Sequence, residues 1–312
     1  MENVDIVVPW VNPLDPNWIK LHNKYSNCKG DNSKQRTRDL NIFKYFFRGI
    51  EENCPWVRKI HLILQSESQI PNWLNVNNKK LHIVYHHDYI LPELLPTFNT
   101  FVIESMLHRI PELAENFVYC NDDCFFTNKT KEEDFFQNNL PVENDKLTRF
   151  LTSNPAHDKI YNGHGIDFFQ RVLLTNKKIE KIITGKAPIY YNFHVPMPLK
   201  RSKIEEIWNN YNDLLLKSLK DSKFRRDYNF NVWLFRYIQL DKKEFVYSDI
   251  VKNDFSYKEL GKASMDEIMN DILNKKCICL NVAIRDYNEN EIKKQINLIM
   301  AAKFSKKSEF EV

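Results

Sequence analysis

The stretch FVYCNDDCFF (residues 117–126) places two adjacent aspartates, Asp122 and Asp123, between two apolar runs. The run that precedes them, NFVYC (116–120), has the length and composition of a buried strand. In open α/β sheets ligands bind beyond the carboxyl ends of the strands, and the aspartate pair follows such an end. Carboxylate oxygens there suit a hard cation such as Mg²⁺ or Mn²⁺. The alternative interpretation is a plain turn, because Asn and Asp are common turn formers.

Outward from this stretch, strand patterns and helix patterns follow one another. Apolar runs predict strands, and apolar residues at helical spacing predict helices. The order strand, helix, strand, strand, helix, strand predicts an α/β fold with a Rossmann-like (GT-A-like) mixed sheet flanked by helices. NPLDPNW (12–18) is predicted to be a loop, since prolines cannot continue a ladder. The predicted strands are 4–11, 59–65, 81–87 and 116–120, and the predicted helices are 38–53 and 100–110.

The second half of the chain is more helical. Ser202 and Glu205 stand at capping-box spacing at the start of the first of these helices. Residues 26–37 are polar and predicted to be mobile. The chain is expected to form one catalytic unit of three parts: an α/β core (1–140), a variable, loop-rich insertion (141–190) and a helical part (191–312). Helices are predicted at 201–219, 231–240 and 290–304, and a strand at 276–280.

The composition excludes several classes of function. The 312 residues carry a net charge of +4, from 45 basic and 41 acidic side chains, which is too small and too evenly spread for a nucleic-acid groove. Six glycines are too few for the glycine-rich phosphate loops of P-loop or dinucleotide-binding enzymes. The N-terminus resembles no signal peptide, and no run of about 18 apolar residues occurs. The six cysteines form no CxxC pair, which argues against zinc and favours reduced thiols in a cytoplasm.

Basic side chains at three places along the chain are candidates for phosphate chemistry. His194 lies between aromatic residues and prolines in NFHVPMP, where a stiff loop would hold an imidazole for proton transfer. A packing histidine is the alternative. Arg225 and Arg226 in KFRRDYN suit phosphate, because phosphate oxygens accept hydrogen bonds from the planar guanidinium group. The alternative is that both arginines are solvated residues on the approach to a helix. Arg38, at the start of a predicted helix, is a further phosphate ligand candidate.

Four blocks of the sequence, in order, resemble the signatures of the Stealth family. DIVVPWVNPLDPNW resembles the first signature, and the chain from RDLNIFKYFF to FVYCNDD is similar to the second. HVPMPLKRSKIEEIW with FRRDYNFNVWLFRYIQL resembles the third, and KCICLN with FSKKSEFE resembles the fourth. The resemblance covers nearly the whole chain, which makes it more specific than any single motif.

Stealth proteins are sugar-1-phosphate transferases, which include bacterial capsule enzymes and the catalytic subunit of the animal GlcNAc-1-phosphotransferase. The resemblance implies transfer of a hexose-1-phosphate from a nucleotide-sugar donor, expected to be a UDP-sugar. The acceptor would be a hydroxyl of an oligosaccharide or lipid-linked glycan, and nucleoside monophosphate would be released. The short chain is more similar to the bacterial capsule branch, and the core (1–140) would bind the donor.

The resemblance also implies roles for individual residues. Asp122 and Asp123 would bind Mg²⁺ or Mn²⁺, and Asp123, His194, Arg225 and Arg38 would be catalytic. For His108 and Arg109 a structural role is the alternative to sugar binding. The residues expected to bind substrate are Asp5, Trp10, Asn12, Asp15, Asn99, His108, Arg109 and Asn231.

The sequence departs from the family pattern at three positions. Pro13 stands where the family usually has Gly, Asn229 where an acid is expected, and Val282 where an acid commonly follows Asn281. These departures leave the roles of individual residues in the third and fourth blocks open.

Two other functions remain as alternatives: a metal-dependent glycosyltransferase that releases nucleoside diphosphate, and a non-catalytic sugar-binding relative. We expect a cytoplasmic protein that visits the inner face of the cell membrane, because capsule acceptors are commonly lipid-linked. Lys303, Lys306 and Lys307 are the expected membrane contacts, and a solvated tail is the alternative.

Overall fold

The computed structural model describes residues 3–33, 38–144, 168–186, 194–281 and 289–312. The strands are β1 (Val4–Pro9), β2 (Val57–Leu64), β3 (Leu81–Tyr85), β4 (Asn116–Tyr119), β5 (Cys124–Phe126), β6 (Phe136–Gln137), β7 (Leu140–Glu143), β8 (Met197–Lys200), β9 (Val246–Tyr247), β10 (Phe255–Glu259) and β11 (Cys277–Asn281). The helices are α1 (Pro16–Lys24), α2 (Phe43–Asn53), α3 (His86–Tyr89), α4 (Thr100–Ser105), α5 (Phe168–Thr184), α6 (Arg201–Leu219), α7 (Trp233–Asp241), α8 (Ile250–Asn253), α9 (Met265–Asn274) and α10 (Glu289–Lys303).

A five-stranded sheet in the order β3-β2-β1-β4-β8 forms the centre of the fold. The first four strands run parallel, and β8 runs antiparallel to β4. After β1 the chain builds β2 and β3 on one side and then returns to β4 on the other. This reversal creates a crevice at the carboxyl ends of β1 and β4, where open α/β sheets bind ligands. The predicted α/β fold with a mixed sheet flanked by helices is confirmed.

The central sheet is covered on both faces, which explains its nearly continuous apolar strands. Successive side chains of a strand point to opposite faces, so Ile6 and Val8 enter one core and Val7 enters the other. The first core includes α2, α9, α10 and a second sheet in the order β10-β11-β5. The second core includes α4, α6 and α7. A small third sheet has the order β6-β7-β9.

The predicted loop at 12–18 is wrong from Pro16 onward, where α1 begins. Proline is favourable in the first turn of a helix because the N–H that it lacks would have no helical partner. The Asp15 carboxylate caps this helix by accepting from the backbone N–H groups of Asn17 and Trp18. The prediction treated the prolines only as strand breakers and so missed the helix that they start.

Other predicted boundaries also change. α2 begins at Phe43 rather than at residue 38, and α4 ends at Ser105, with a separate 3-10 turn at Leu107–Arg109. Ser202 does not cap α6, because it lies inside the helix and its hydroxyl donates to Glu115 Oε1 at 2.6 Å. The loop-rich prediction for 141–190 is wrong for α5, and residues 34–37, 145–167 and 187–193 lie outside the described residues.

Candidate active site

The aspartate pair lies in a tight turn between β4 and β5. Because β4 belongs to the central sheet and β5 to the second sheet, the turn joins the two sheets at the carboxyl end of β4. The Leu280 N–H of β11 donates to the Asp123 carbonyl at 2.9 Å, which fixes the turn's backbone. Asn121, Asp122 and Asp123 all remain partly accessible. The chain therefore does form a turn here, and the turn borders the crevice.

Acidic side chains crowd this turn. Burial raises the pKa of Asp122 to about 8, with further contributions from the charges of Asp123 and Asp39, while the charge of Arg225 lowers it. Carboxylates held this close cannot all ionise freely. Asp39 was not among the sequence candidates, and its position next to Arg38 was the only available signal.

The donor set of the turn fits a hard divalent cation. Asp122 and Asp123 offer carboxylate oxygens, which Mg²⁺ and Mn²⁺ prefer, and a cation would relieve their repulsion. The sulfurs of Cys124 and Cys279 lie within 4.8 Å of each other and of an Asp123 carboxylate oxygen. Burial holds the pKa of the Cys279 thiol well above its usual range, so it remains a protonated core residue rather than a thiolate ligand. All six cysteines of the chain are free thiols, as expected.

His194 meets the aspartate turn because β8 is antiparallel to β4. The start of β8 therefore lies at the carboxyl end of β4, where Met197 pairs with Tyr119. His194 lies just before this strand, and its Nδ1 is 2.8 Å from Asn121 Nδ2. The imidazole stacks on the ring of Tyr257 at 5.9 Å and meets the edge of Trp233 at 5.3 Å. These rings hold the imidazole beside the turn.

A chain of hydrogen bonds sets the orientation of this imidazole. The Tyr119 hydroxyl donates to Glu104 Oε1 at 2.7 Å and lies 3.0 Å from the Asn121 amide. The Asn121 amide links this hydroxyl to His194 Nδ1, so Glu104, Tyr119 and Asn121 hold the imidazole in one orientation beside the turn.

Arg225 lies at the same edge of the sheet as the aspartate turn. Helix α6 begins at the amino end of β4 and runs back along the sheet, so the loop that follows α6 carries Arg225 to the carboxyl end of β4. Its Nη2 donates to Thr100 Oγ1 at 2.7 Å, and its guanidinium lies 4.9 Å from the centre of the Phe101 ring. Its charge lowers the pKa values of both Asp122 and Glu104, although burial keeps both raised. The third sequence block therefore contributes a cation to the acidic turn of the second block.

Asn229, where the family pattern led us to expect an acid, lies in a buried amide network. Its Nδ2 donates to Ser218 C=O at 2.6 Å, and its Oδ1 accepts from the Arg226 N–H at 2.8 Å. Asn99 is the other member of the network, and its Nδ2 donates to Asn229 Oδ1 at 2.9 Å. Both side chains are fully buried. This network fixes the loop that carries Arg225. Asn99 therefore supports the site indirectly, by holding that loop in place.

We expect Asn229→Asp to reduce the free energy of unfolding by at least about 2 kcal/mol. A carboxylate cannot donate to Ser218 C=O, and it would leave a buried charge facing a carbonyl oxygen. Urea unfolding measures the loss, and Asn209→Asp, at an exposed position of α6, should change stability by less than about 0.5 kcal/mol. Higher turnover in Asn229→Asp would instead favour a chemical role for an acid at this position.

Arg38 and the loop after β1 border the crevice. Arg38 Nε lies 3.3 Å from Glu289 Oε2, which joins the segment before α2 to α10. Trp10 stacks on Phe43 with their ring centres 5.2 Å apart. The Asn12 N–H donates to Gln69 Oε1 at 2.6 Å, and Asp15 Oδ2 accepts from Gln69 Nε2 at 2.8 Å. These contacts shape the wall of the crevice over β1 and β2.

Asp5 lies at the opposite end of the sheet from the aspartate turn. It is completely buried near the start of β1, and its carboxylate accepts from Arg58 at 2.8 and 2.5 Å and from the Ala114 N–H at 2.8 Å. Burial raises its pKa, but hydrogen bonds from His61 and Arg58 outweigh this and lower it to about 2. These contacts are those of a structural ion pair.

Three further sequence candidates lie in packing environments. His108 stacks on Trp208 at 6.0 Å, and Arg109 Nε donates to the Tyr89 carbonyl at 2.9 Å. Burial lowers the pKa of His108 to about 4. Asn231 is buried and accepts from Asn176 Nδ2 at 2.7 Å, which joins α5 to the start of α7. Within the described ranges, no hydrogen bond or ion pair joins these three residues to the aspartate turn.

Family models match two regions of the chain. The model of Stealth protein conserved region 1 matches residues 2–29, and that of conserved region 2 matches residues 36–143. The first region contains β1 and α1, and the second contains α2, the aspartate turn and the strands β2 to β7. These two regions supply the crevice wall over β1 and the turn itself.

Curated relatives match over the full length. The "Capsular polysaccharide phosphotransferase WcwK" of Streptococcus pneumoniae is 32% identical over 336 residues, which covers 100% of this chain and 98% of the relative. The "Exopolysaccharide phosphotransferase cps2G" of Lactiplantibacillus plantarum is 31% identical, with coverage of 99% and 96%. A crystal structure of the galactosyltransferase LgtC with donor and acceptor sugar analogs covers 94% of this chain and 95% of that chain at 12% identity, with a TM-score of 0.40.

Proposed function

The chain belongs to the Stealth family and is a transferase of the phosphotransferase type, and on that premise we propose the reaction that it catalyses. It transfers a hexose-1-phosphate from a nucleotide sugar, a UDP-sugar by preference, to a hydroxyl of an acceptor glycan. The product is a phosphodiester in a capsular or cell-surface polysaccharide, and nucleoside monophosphate leaves. The observation that carries this proposal is the meeting of Asp122, Asp123, His194 and Arg225 at one sheet edge.

The reaction requires a proton acceptor and countercharge for the phosphoryl group. The acceptor hydroxyl attacks the phosphorus nearest the sugar, and the bond from that phosphorus to the oxygen of the leaving nucleotide breaks. His194 takes the hydroxyl proton, and Arg225 binds the phosphoryl oxygens through its guanidinium fork. A divalent cation held by Asp122 and Asp123 would neutralise negative charge on the transferred group.

The decisive experiment is a panel of nucleotide sugars incubated with acceptor glycans, with mass detection of the released nucleotide. Release of nucleoside monophosphate together with a sugar phosphodiester is the expected result. Release of nucleoside diphosphate would show cleavage at the anomeric carbon and support a glycosyltransferase. Donor binding without any release would support a non-catalytic sugar-binding relative.

We expect His194→Ala to lower turnover by about 10²–10⁴-fold, the usual cost of losing a general base. Donor affinity should stay nearly intact, because the imidazole acts on the acceptor's proton and not on the donor. Calorimetry with the donor and a turnover assay separate the two effects. Wild-type turnover in His194→Ala would make Asp123 the better candidate for the base.

A peripheral membrane contact is the remaining part of the proposal. Among the described residues no helix is long and apolar enough to cross a bilayer. Lys303 donates to Asn128 Oδ1 at 3.1 Å, whereas Lys306 and Lys307 are exposed after the buried Phe304. Each exposed lysine contributes about 1 kcal/mol near an anionic surface.

Replacing Lys303, Lys306 and Lys307 by Gln should therefore weaken binding to anionic vesicles by about 30-fold, mainly through the two exposed positions. Vesicle sedimentation measures this change. Gln at Lys217 and Lys220 of the α6 region is the control for a general loss of positive charge. Unchanged binding of the triple variant would rule this patch out.

A further inference from the structure

A cavity of about 230 Å³ lies at the same edge of the central sheet as the candidate active site. Its walls come from α1, from the residues that follow β2 and from the start of α3 after β3. It therefore lies over the carboxyl ends of β2 and β3. Trp18, Leu21, Leu95 and Pro96 give it largely apolar walls. Small-molecule sites combine such walls with a few well-placed polar groups.

Two polar side chains of the cavity lining have unsatisfied nitrogens. Gln65 Nε2 and His86 Nδ1 are both shielded from solvent and have no hydrogen-bond partner among the described residues. Buried polar atoms in folded proteins are almost always paired, so an unpaired one calls for a partner. His86 is 7% exposed, and burial lowers its pKa to about 3, so its ring is neutral and Nδ1 can either donate or accept.

The position of the cavity relates it to the aspartate turn. In the sheet order β3-β2-β1-β4, the loop after β1 separates the cavity from the turn after β4. At about 4.8 Å between neighbouring strands, the two places are about 10–15 Å apart. In a nucleotide sugar, a ribose and a phosphate separate the base from the phosphorus nearest the sugar. One extended donor would therefore reach both places.

We propose that this cavity binds the pyrimidine base of the nucleotide-sugar donor, an inference that rests on the proposed function. The volume is below the roughly 300 Å³ of the smallest drug-sized pockets, so it suits one planar ring system and not a whole donor. A pyrimidine fits the cavity better than a purine because its ring system is smaller. The base stacks against apolar walls, while the side chains of Gln65 and His86 rotate toward it and pair with the polar atoms on its edge. An acceptor sugar, with hydroxyls on every side, would leave its polar groups unpaired against these walls.

The test is calorimetry with UMP, CMP, AMP and GMP on the full chain in the presence of Mg²⁺. We expect UMP or CMP to bind more tightly than the purine nucleotides. Gln65→Leu and His86→Phe should weaken that binding by about 5- to 30-fold each, because each removes one pairing group. Asn17→Trp, at an exposed lining position of α1, should block the cavity without disturbing the core. Asn23→Trp, on the other face of the same helix, is the matched control and should bind normally.

The outcomes separate this inference from the proposed function. Weaker nucleotide binding in Asn17→Trp but not in Asn23→Trp supports the inference, even if no nucleotide sugar is turned over. Nucleotide affinity that is unchanged in Gln65→Leu, His86→Phe and Asn17→Trp overturns the inference, even if monophosphate release confirms the function. Preference for AMP or GMP over both pyrimidine nucleotides also overturns it. In an active enzyme, Asn17→Trp should raise KM for the donor by a similar factor and leave kcat nearly unchanged.

Discussion

Replacing either Asp122 or Asp123 by Asn is expected to lower turnover by at least about 10³-fold. Asn keeps the size of the side chain but removes a negative charge, so the turn loses its hold on a divalent cation. Without that cation, the transferred phosphoryl group loses a large part of its countercharge, and arginines such as Arg225 compensate only partly. The turnover rate of each variant over a range of Mg²⁺ and Mn²⁺ concentrations is the measurement.

Chelation gives an independent test of the same site. EDTA should abolish turnover of the wild type, and added Mg²⁺ or Mn²⁺ should restore it. Asp213→Asn, at an exposed position of α6, is the control and should keep wild-type turnover and metal response. Full activity of both Asp122→Asn and Asp123→Asn in EDTA would contradict a metal site at this turn.

Arg225→Ala is expected to weaken donor binding and to slow turnover together, with a combined loss of about 10³–10⁵-fold in kcat/KM. A guanidinium that binds the phosphate acts in both the ground state and the transition state, so both parameters change. Arg225→Lys should restore only part of the activity, because an ammonium cannot make the two-pronged contact. Calorimetry for donor affinity and steady-state turnover separate the two effects.

Arg226 is the matched control for this prediction. The guanidinium of Arg226 lies 4.9 Å from the centre of the Tyr228 ring, and the neighbouring Arg225 instead contacts Thr100 and Phe101. Arg226→Ala should therefore keep near wild-type donor affinity and turnover. If Arg226→Ala is damaging and Arg225→Ala is silent, the assignment of the phosphate ligand is wrong by one residue.

The sequence by itself determined the four parallel strands of the central sheet and the place of the aspartates. Apolar runs such as VDIVVP and KIHLIL can be satisfied only by burial, so their identity as strands follows from local composition. The aspartates follow the last of these strands in the chain, and a residue just after a parallel strand must lie at its carboxyl edge. The family resemblance also follows from local blocks, and conserved regions 1 and 2 match where it was seen.

Tertiary structure alone decided which distant residues meet those aspartates. The antiparallel pairing of β8 with β4 brings His194 to Asn121, and the return of α6 brings the charge of Arg225 to Asp122. Long-range packing also decided the role of Asp5, which pairs with Arg58 near the amino end of β1 and faces no ligand. Local pattern cannot give these results, because strand direction and side-chain contacts depend on groups 50 to 130 residues apart, as in the pairs Asp5–Arg58 and Asn99–Asn229. A periodic pattern shows that a side chain is buried, but only the packed neighbours decide whether that side chain pairs within the fold or faces a ligand.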